Sequence, residues 1–423
     1  MKLTKILYTM FAATTIMAMV GCSSSDEISG NSEDVVLSVN IWDAYQQPGI
    51  QQILNEFTAE TGIKTSLSMI TWSEYWSVLE AGAQGGQLPD VFWMHSNESQ
   101  RYMENDMLLD LTDQIAESTL IDPANYPDDI WDLYISDKKY YAVPKDIDTI
   151  ALWYNKTMFD AAGIEYPNED WTWDDMTQAA RKLTKADGSQ YGIAMRNDTN
   201  QEGYYNILYS NGGRILNEDK TKSMLDDPKT IEGMEVLETW INEGLMPSLA
   251  TMSETPAEVL MQSGQVAMAL HGSWMLPSYK TSDYALANID IAELPKSAAT
   301  GDRVSVYNGL GWAAAANTEH PEEAWKLVEY LGSEKAQLRQ AELGVTMSAF
   351  TGTSDAWINS SDFNLQAYIN MMDNMVIRPY SRNTVIWEND NNEALKAVYT
   401  GDETMEEALK KMAAEMNETL ENE

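Results

Sequence analysis

Short apolar runs alternate with longer amphipathic stretches in the first quarter of the chain. Apolar runs at residues 35–43, 63–71 and 89–94 predict three β-strands, and stretches at residues 47–61 and 74–83 predict helices that glycines close. Strands that alternate with helices of this length indicate βαβ units and a largely parallel sheet. The pattern therefore predicts an α/β fold.

Ligands of such sheets bind beyond the carboxyl ends of the strands, so side chains at the three predicted strand tips are the first binding candidates. Aromatic and polar residues are concentrated there. The candidates in this part of the chain are Trp42, Asp43, Tyr45, Trp72, Glu74, Trp93 and His95.

Further along, residues 140–154 form an extended stretch with Pro144 in its middle. Proline in a strand is typical of a sheet edge or a crossing between elements, so we interpret this stretch as a crossover between two lobes. Later patterns predict a helix capped by Thr172, helices at 230–243, 256–263 and 321–331, strands at 266–270 and 309–316, and an acidic helix at 404–423.

The N-terminus has the pattern of a secretory signal peptide. Lys2 and Lys5 precede an apolar run, residues 6–20, which is shorter than the roughly 20 residues of a spanning helix. Gly21-Cys22 follows, and Cys22 is the only cysteine of the 423 residues. The pattern predicts a signal peptide over residues 1–21, a lipidated Cys22 and a flexible tether over 22–34. An incidental cysteine beside an ordinary cleavage site is the alternative.

The charge of the chain excludes some partners. The net charge is −39, and it becomes −41 once the two lysines of the signal peptide are removed. Nucleic acids and anionic membrane surfaces bind clustered Lys and Arg, so neither is an expected partner. The aromatic residues are 14 Trp and 21 Tyr against 6 Phe, which favours a groove lined by rings with polar tips.

Four segments resemble a known family in their order and spacing. They are LPDVFW (88–93), YAVPKDIDTIALWYNKTMFDAAGI (141–164), SGQVAMALHGSWM (263–275) and GLGWAAAANTEHPEEAWKLVEYL (309–331), and the closing helix GDETMEEALKKMAAEMN (401–417) is similar too. The chain resembles the extracellular solute-binding proteins of ATP-driven sugar importers, the class that contains the maltose-binding protein.

The resemblance implies a two-lobed periplasmic-binding-protein-like fold of type II, in which crossing strands join the lobes around a ligand cleft. The N-terminal lobe would hold residues 35–143 and 306–345, and the C-terminal lobe residues 144–305 and 346–423. The implied function is capture of a sugar, expected to be an oligosaccharide, by a monomer anchored at Cys22 to the outer face of the cell membrane. The ligand would pass to the permease subunits of an ABC importer, and no cofactor is implied.

The resemblance also assigns ligand-binding roles to residues outside the first lobe's tips. In similar family members a tryptophan after the Gly-Ser turn stacks on the sugar, which points to Trp274. An acid after the crossover proline binds hydroxyls, and Asp148 fits that position slightly better than Asp146. Arg378 resembles a C-terminal position that reaches the cleft, with Arg382 as its competitor. Gly311 and Trp312 would give a close backbone approach and a second stacking ring.

Other functions need different residues. The three histidines, His95, His271 and His320, are far apart and lack metal-ligand spacing. A glycoside hydrolase is the strongest enzymatic alternative, because Asp146 and Asp148 could be its carboxylate pair. A binding protein for iron, a polyamine or a peptide is another alternative, and the pairs Tyr140-Tyr141 and Tyr204-Tyr205 are what an iron site would use. A purely structural surface lipoprotein would leave the four segments unexplained.

Overall fold

A computed structural model of the protein describes residues 35–196 and 200–423. The predicted signal peptide, Cys22 and the tether lie outside the described residues, so their assignments stay predictions. In the described part of the chain, no helix is both long enough and apolar enough to cross a membrane.

Strands and helices alternate along most of the chain. The strands are β1 Val36–Ile41, β2 Lys64–Met69, β3 Val91–Met94, β4 Ile135–Ser136, β5 Lys139–Tyr140, β6 Ala142–Pro144, β7 Ile150–Asn155, β8 Tyr191–Ala194, β9 Val266–Gly272, β10 Ile289–Ala292, β11 Ser305–Tyr307, β12 Gly311–Ala314 and β13 Met375–Ile377. The helices are α1 Gln47–Thr61, α2 Trp72–Gly85, α3 Ser96–Glu104, α4 Thr112–Glu117, α5 Asp128–Asp132, α6 Lys156–Ala162, α7 Trp173–Leu183, α8 Tyr205–Ser210, α9 Pro228–Asn242, α10 Leu249–Glu254, α11 Ala257–Gln262, α12 Leu276–Lys280, α13 Asp283–Asn288, α14 Pro321–Gly332, α15 Glu334–Glu342, α16 Ser354–Ile358, α17 Gln366–Asn370, α18 Thr384–Thr400 and α19 Met405–Glu421.

Two mixed sheets organise these elements. The first has the strand order β2-β1-β3-β12-β6, and the second has the order β10-β7-β9-β8. In the first sheet β1 runs parallel to β2 and β3, as predicted from the βαβ pattern. The expectation of a largely parallel sheet is wrong beyond these strands, because β12 is antiparallel to β3 and β6, and β7 is antiparallel to β9 and β10. None of these antiparallel pairs consists of consecutive strands joined by a helical crossover, so nothing forces them to be parallel.

The ends of several predicted helices are confirmed at the residues that cap them. α1 ends at Gly62, which adopts a φ of +76° that favours glycine, and its amide donates back to the helix. Thr172 caps α7 in a capping box with Asp175, so two amides that no helical carbonyl would satisfy find side-chain acceptors. Pro321 occupies the first turn of α14, where a missing amide costs nothing.

The chain passes from the first sheet to the second between Pro144 and Ile150. β6 is the last strand of the first sheet's order, so Pro144 lies on an edge strand, as its sequence predicts. The chain returns to the first sheet with β12, and in between β11 pairs in parallel with β13. The crossing segments 145–149 and 308–310 lie side by side, and they position the residues described next. The exact lobe boundaries stay a prediction.

Candidate functional site

The two aspartates after the crossover proline have different surroundings. Asp146 is fully buried, its Oδ1 accepts the amide of Leu310 at 2.7 Å, and its Oδ2 accepts from Lys145 Nζ. Asp148 is also buried, but its Oδ1 has no hydrogen-bond partner. Its backbone is held by Asn308, through amide-to-carbonyl bonds of 2.8 Å in both directions. Asp146 therefore supports the crossing, and Asp148 offers a free acceptor.

Negative charge surrounds the free acceptor. Burial raises the pKa of Asp148 well above its usual value, and the carboxylates of Asp146, Asp43 and Glu202 raise it further, while Lys145 lowers it. Lys145 is itself occupied. Its ammonium donates to Gln46 Oε1 at 3.1 Å and to Asp146, and it lies 4.4 Å from the centre of the Trp93 ring.

The turn His271-Gly272-Ser273-Trp274 lies against the same crossing. The Ser273 amide donates to the carbonyl of Thr149 at 2.9 Å, and its hydroxyl donates to the carbonyl of Ile147 at 3.2 Å. Trp274 is half-buried, and its six-membered ring lies so close to Gly272 that a Cβ there would be 2.1 Å from the nearest ring atom. Glycine at 272 therefore permits the ring position, and Ser273 holds the turn against the backbone on either side of Asp148.

The three predicted strand tips of the first sheet come together. Trp42, which follows β1, lies 5.1 Å from Trp72, which precedes the body of α2, and Trp72 lies 5.4 Å from His95, which follows β3. Trp72 is 41% exposed and Trp42 is half-buried, so these two rings leave surface for a ligand. The tips lie together because β1 is the parallel neighbour of both β2 and β3, so the carboxyl ends of all three strands share one edge of the sheet.

Polar candidates near the tips have local partners. The half-buried Asp43 accepts from the Tyr45 amide at 2.8 Å and from Gln46 Nε2 at 2.9 Å, and burial raises its pKa. Tyr45 is 55% exposed. Glu74 is exposed and accepts from the Thr71 hydroxyl at 3.1 Å at the start of α2. Asp43 and Glu74 thus help to begin α1 and α2, and both still have lone pairs for other donors.

Three other candidates lie in the packed interior. Trp93 is fully buried in the central strand β3, and Trp312 opposite it is 1% exposed. A Cβ on Gly311 would be 2.8 Å from Ala142 and 3.0 Å from the Tyr134 ring, so protein atoms fill the space beside this glycine. Trp93, Trp312 and Gly311 are buried, and their ligand contacts stay a prediction.

Arg378 joins elements from both ends of the chain. Its guanidinium donates to the two carboxylate oxygens of Glu388 at 3.1 and 2.7 Å, and Nη1 lies 3.2 Å from His95 Nε2. A guanidinium only donates, so Nε2 is the acceptor, and burial together with the charge of Arg378 lowers the pKa of His95. Its competitor Arg382 is exposed and pairs with Glu104 at 2.8 Å.

Several buried polar residues of the site escape sequence reasoning. Besides Asp148, unpartnered polar atoms occur at Asn97 Oδ1, Asn200 Oδ1, Asn308 Oδ1 and the Tyr204 hydroxyl, all in buried side chains. Glu202 is buried too, and it accepts from the Gly272 amide at 3.1 Å. For Asn200, Glu202 and Tyr204 the sequence offers one signal, which is the concentration of amides and acids in NQEGYYN, residues 200–206.

Burial opposes ionisation of the second tyrosine pair in the metal-free protein. Tyr204 and Tyr205 are buried, and burial raises the pKa of both phenols, whereas a metal needs the phenolate. Burial also raises the pKa of Tyr141. Within residues 35–196 and 200–423, no cluster of three or more His, Cys, Asp or Glu side chains could hold a metal ion.

The sequence is similar to a known family and to curated members of it. A sequence profile of the family described as bacterial extracellular solute-binding protein matches residues 43–338. The maltodextrin-binding protein of Bacillus subtilis is 24% identical over 343 residues, 79% of this chain and 78% of that protein. The galactooligosaccharide-binding protein of Bacillus subtilis is 22% identical over 338 residues, 77% of this chain and 76% of that protein.

A solved structure shares the fold over nearly the whole chain. The ABC substrate-binding protein of Listeria monocytogenes in complex with cycloalternan is 24% identical, with a TM-score of 0.85 over 92% of this chain and 100% of that one. The likeness confirms the predicted two-lobed α/β fold class.

Proposed function

Because the chain belongs to the family of bacterial extracellular solute-binding proteins, we propose that it binds a sugar, an oligosaccharide in particular, and delivers it to an ABC importer. The observation that carries this proposal is the free carboxylate oxygen of Asp148, in the crossing segment to which the turn before the half-buried Trp274 is hydrogen-bonded. The sugars named for the related maltodextrin- and galactooligosaccharide-binding proteins support the ligand class.

The chemistry of a sugar fits the groups that meet here. Sugar hydroxyls need acceptors and donors, and Asp148, Asn308 and Asn97 present buried oxygen atoms without partners. The C–H faces of the rings need flat apolar surfaces, which Trp274 and the exposed side of Trp72 provide. A ligand that satisfies the buried oxygens removes an unfavourable term of about 1–3 kcal/mol for each group.

Binding on both sheets couples the ligand to closure. Trp42 and Trp72 follow strands of the first sheet, whereas Trp274 follows β9 of the second. A ligand that contacts both sides binds the closed form more tightly, and this difference in affinity is the free energy available for closing. The closed form would then present the rims of both lobes to the permease subunits of the importer.

A thermal-shift screen tests the ligand class. We expect mono- or oligosaccharides, but not iron, spermidine or peptides, to raise the Tm of residues 26–423. Ligand at 100 times its Kd stabilises by about 2.7 kcal/mol. In Trp274→Ala the shift should shrink, whereas Trp325→Ala, a half-buried tryptophan on α14, serves as the control. A Tm shift with spermidine or iron alone would refute the proposal that the ligand is a sugar.

The surroundings of Asp146 and Asp148 favour a transport binding protein over a glycoside hydrolase. Both oxygens of Asp146 are bound within the protein, so Asp146 and Asp148 do not form the pair of free carboxyl groups that a glycoside hydrolase needs. Incubation of each bound oligosaccharide with the protein, followed by chromatography, should return it unchanged. Release of shorter sugars would show that the protein is a glycoside hydrolase and not a carrier.

Location and anchoring belong to the same proposal. The predicted signal peptide and Gly21-Cys22 support export and lipidation at Cys22, and a monomer is the expected state of the exported protein. Cys22→Ser should abolish incorporation of radioactive palmitate and move the protein from the membrane fraction to the medium. Unchanged labelling would show that Cys22 is not the acylated residue.

A further inference from the structure

Carboxylates outnumber cations around the crossing segment 145–149. Among the described residues, Asp43, Asp146 and Glu202 all act electrostatically on Asp148, against Lys145 as the opposing cation. Lys145 is paired with Asp146, and its ammonium also donates to a glutamine. The charges of these two residues cancel, so Lys145 is not available as an ion-pair partner for Asp148 or Asp43.

Two further cations, Arg196 and Arg378, form ion pairs with other carboxylates. Arg196 lies 3.7 Å from Glu202 and 3.3 Å from Glu258, so one guanidinium is shared between two carboxylates. Arg378 is bound to both oxygens of Glu388. Burial and the neighbouring carboxylates oppose ionisation of Asp148, and Lys145 offsets them only in part, so a positively charged ligand would stabilise the ionised form.

A neutral sugar balances only part of this charge. A hydroxyl can donate a hydrogen bond to the buried Oδ1 of Asp148, but it brings no positive charge to a group that has lost its solvent. A protonated amine donates the same hydrogen bond and neutralises the carboxylate. Tryptophan faces also attract cations through their ring quadrupoles, and Trp274 follows the turn that is hydrogen-bonded to the crossing segment of Asp148.

We propose that the ligand is an amino sugar, a saccharide with a protonated amine that pairs with Asp148. This inference rests on the proposed sugar-binding function and deepens it. A linear polyamine would also supply the charge, but it has no ring face to place on the tryptophans, and for this reason the site favours the amino sugar.

Related sugars with and without amine groups test the inference by isothermal titration calorimetry at pH 7. The pairs are cellotriose against chitotriose, maltotetraose against acarbose, and galactose against galactosamine, with triacetylchitotriose as an uncharged amide control. In at least one pair we expect the amine to bind about tenfold more tightly, equivalent to about 1.4 kcal/mol. The advantage should fall as salt is raised well above about 0.15 M.

Two variants assign the effect. Asp148→Asn should remove the advantage of the amine, with a smaller loss for the neutral member of the pair. Glu418→Gln, an exposed acid on α19, removes one charge at a remote surface and should leave the ratio unchanged. If the asparagine variant does not fold, the salt dependence of the ratio in the wild-type protein decides.

The outcomes separate this inference from the proposed function. Equal or tighter binding of the neutral members would refute the inference that the ligand is an amino sugar. The proposed sugar-binding function would still stand. Binding of spermidine with no binding of any sugar would overturn both proposals, as would a panel in which nothing binds.

Discussion

Replacing Gly272 by alanine should weaken ligand binding through Trp274 alone. Gly272 has a φ of −76° and a ψ of 159°, which alanine adopts without strain. The added Cβ would lie 2.1 to 2.3 Å from three atoms of the Trp274 ring, so the ring has to move. The turn itself keeps its bonds to the crossing segment, because they come from the Ser273 amide and hydroxyl.

The expected loss follows from the ring face that the ligand would no longer cover. One face of an indole corresponds to roughly 60–100 Å² of the area a buried tryptophan loses. At about 25 cal/mol per Å², this amounts to about 1.5–2.5 kcal/mol, or roughly 10- to 70-fold in Kd. Because Trp274 is half-buried, we expect only a small decrease in the Tm of the ligand-free protein.

A double-mutant cycle tests whether the effect acts through the ring. Calorimetric Kd values for wild type, Gly272→Ala, Trp274→Ala and the double variant give the coupling. In the Trp274→Ala background, alanine at 272 should cost less than about 0.5 kcal/mol. Gly85→Ala, where a Cβ has no atom within 4 Å, is the matched control. Additive losses in the double variant would refute the reasoning.

Three further predictions concern charge. The raised pKa of Asp148 means that the folded state binds more protons than the unfolded chain, so this residue destabilises the ligand-free protein increasingly as pH rises through the interval between the two pKa values. Asp148→Asn should therefore raise the Tm at neutral pH and not near pH 4, and an equal gain at both would contradict this origin. Arg378→Met leaves the buried Glu388 unpaired and should cost about 3–5 kcal/mol in urea unfolding. Adding Glu388→Gln should recover part of that loss, and no recovery would argue against the pair. Glu423→Gln should cost about 0.5–1 kcal/mol, since this carboxylate accepts the Asn383 amide at 2.8 Å just before α18, and an unchanged unfolding midpoint would exclude that role.

The parts of the fold that were predictable depend on local rules. The convergence of Trp42, Trp72 and His95 follows from three parallel neighbours whose carboxyl ends share one edge, and hydrophobic runs alone locate those ends. The direction of β12 could not be read in the same way. It reaches the first sheet after the chain has crossed into the second sheet and back, and no local pattern encodes which way a returning strand runs.

The sequence could not predict which individual tryptophans are buried. β3 is buried on both faces, so alternation cannot tell whether Trp93 faces a groove or the core. The same holds for Trp312 in β12. Glu388 shows the opposite difficulty: in a helix rich in Asn and Glu it looks like a solvated acid, and only the distant Arg378 explains why it is buried.

Asp146 and Asp148 show why spacing alone cannot assign a ligand role. Two acids that are two residues apart in an extended segment are equivalent in the sequence pattern. What separates them is the amide of Leu310, more than 160 positions away, which binds Asp146, while Asp148 has no such donor for its Oδ1. The difference between a structural and a ligand-binding carboxylate therefore lies in the register between the crossing segments 145–149 and 308–310. That register is a tertiary property, and a shift of two residues would be needed to bring the Leu310 amide to Asp148 in place of Asp146.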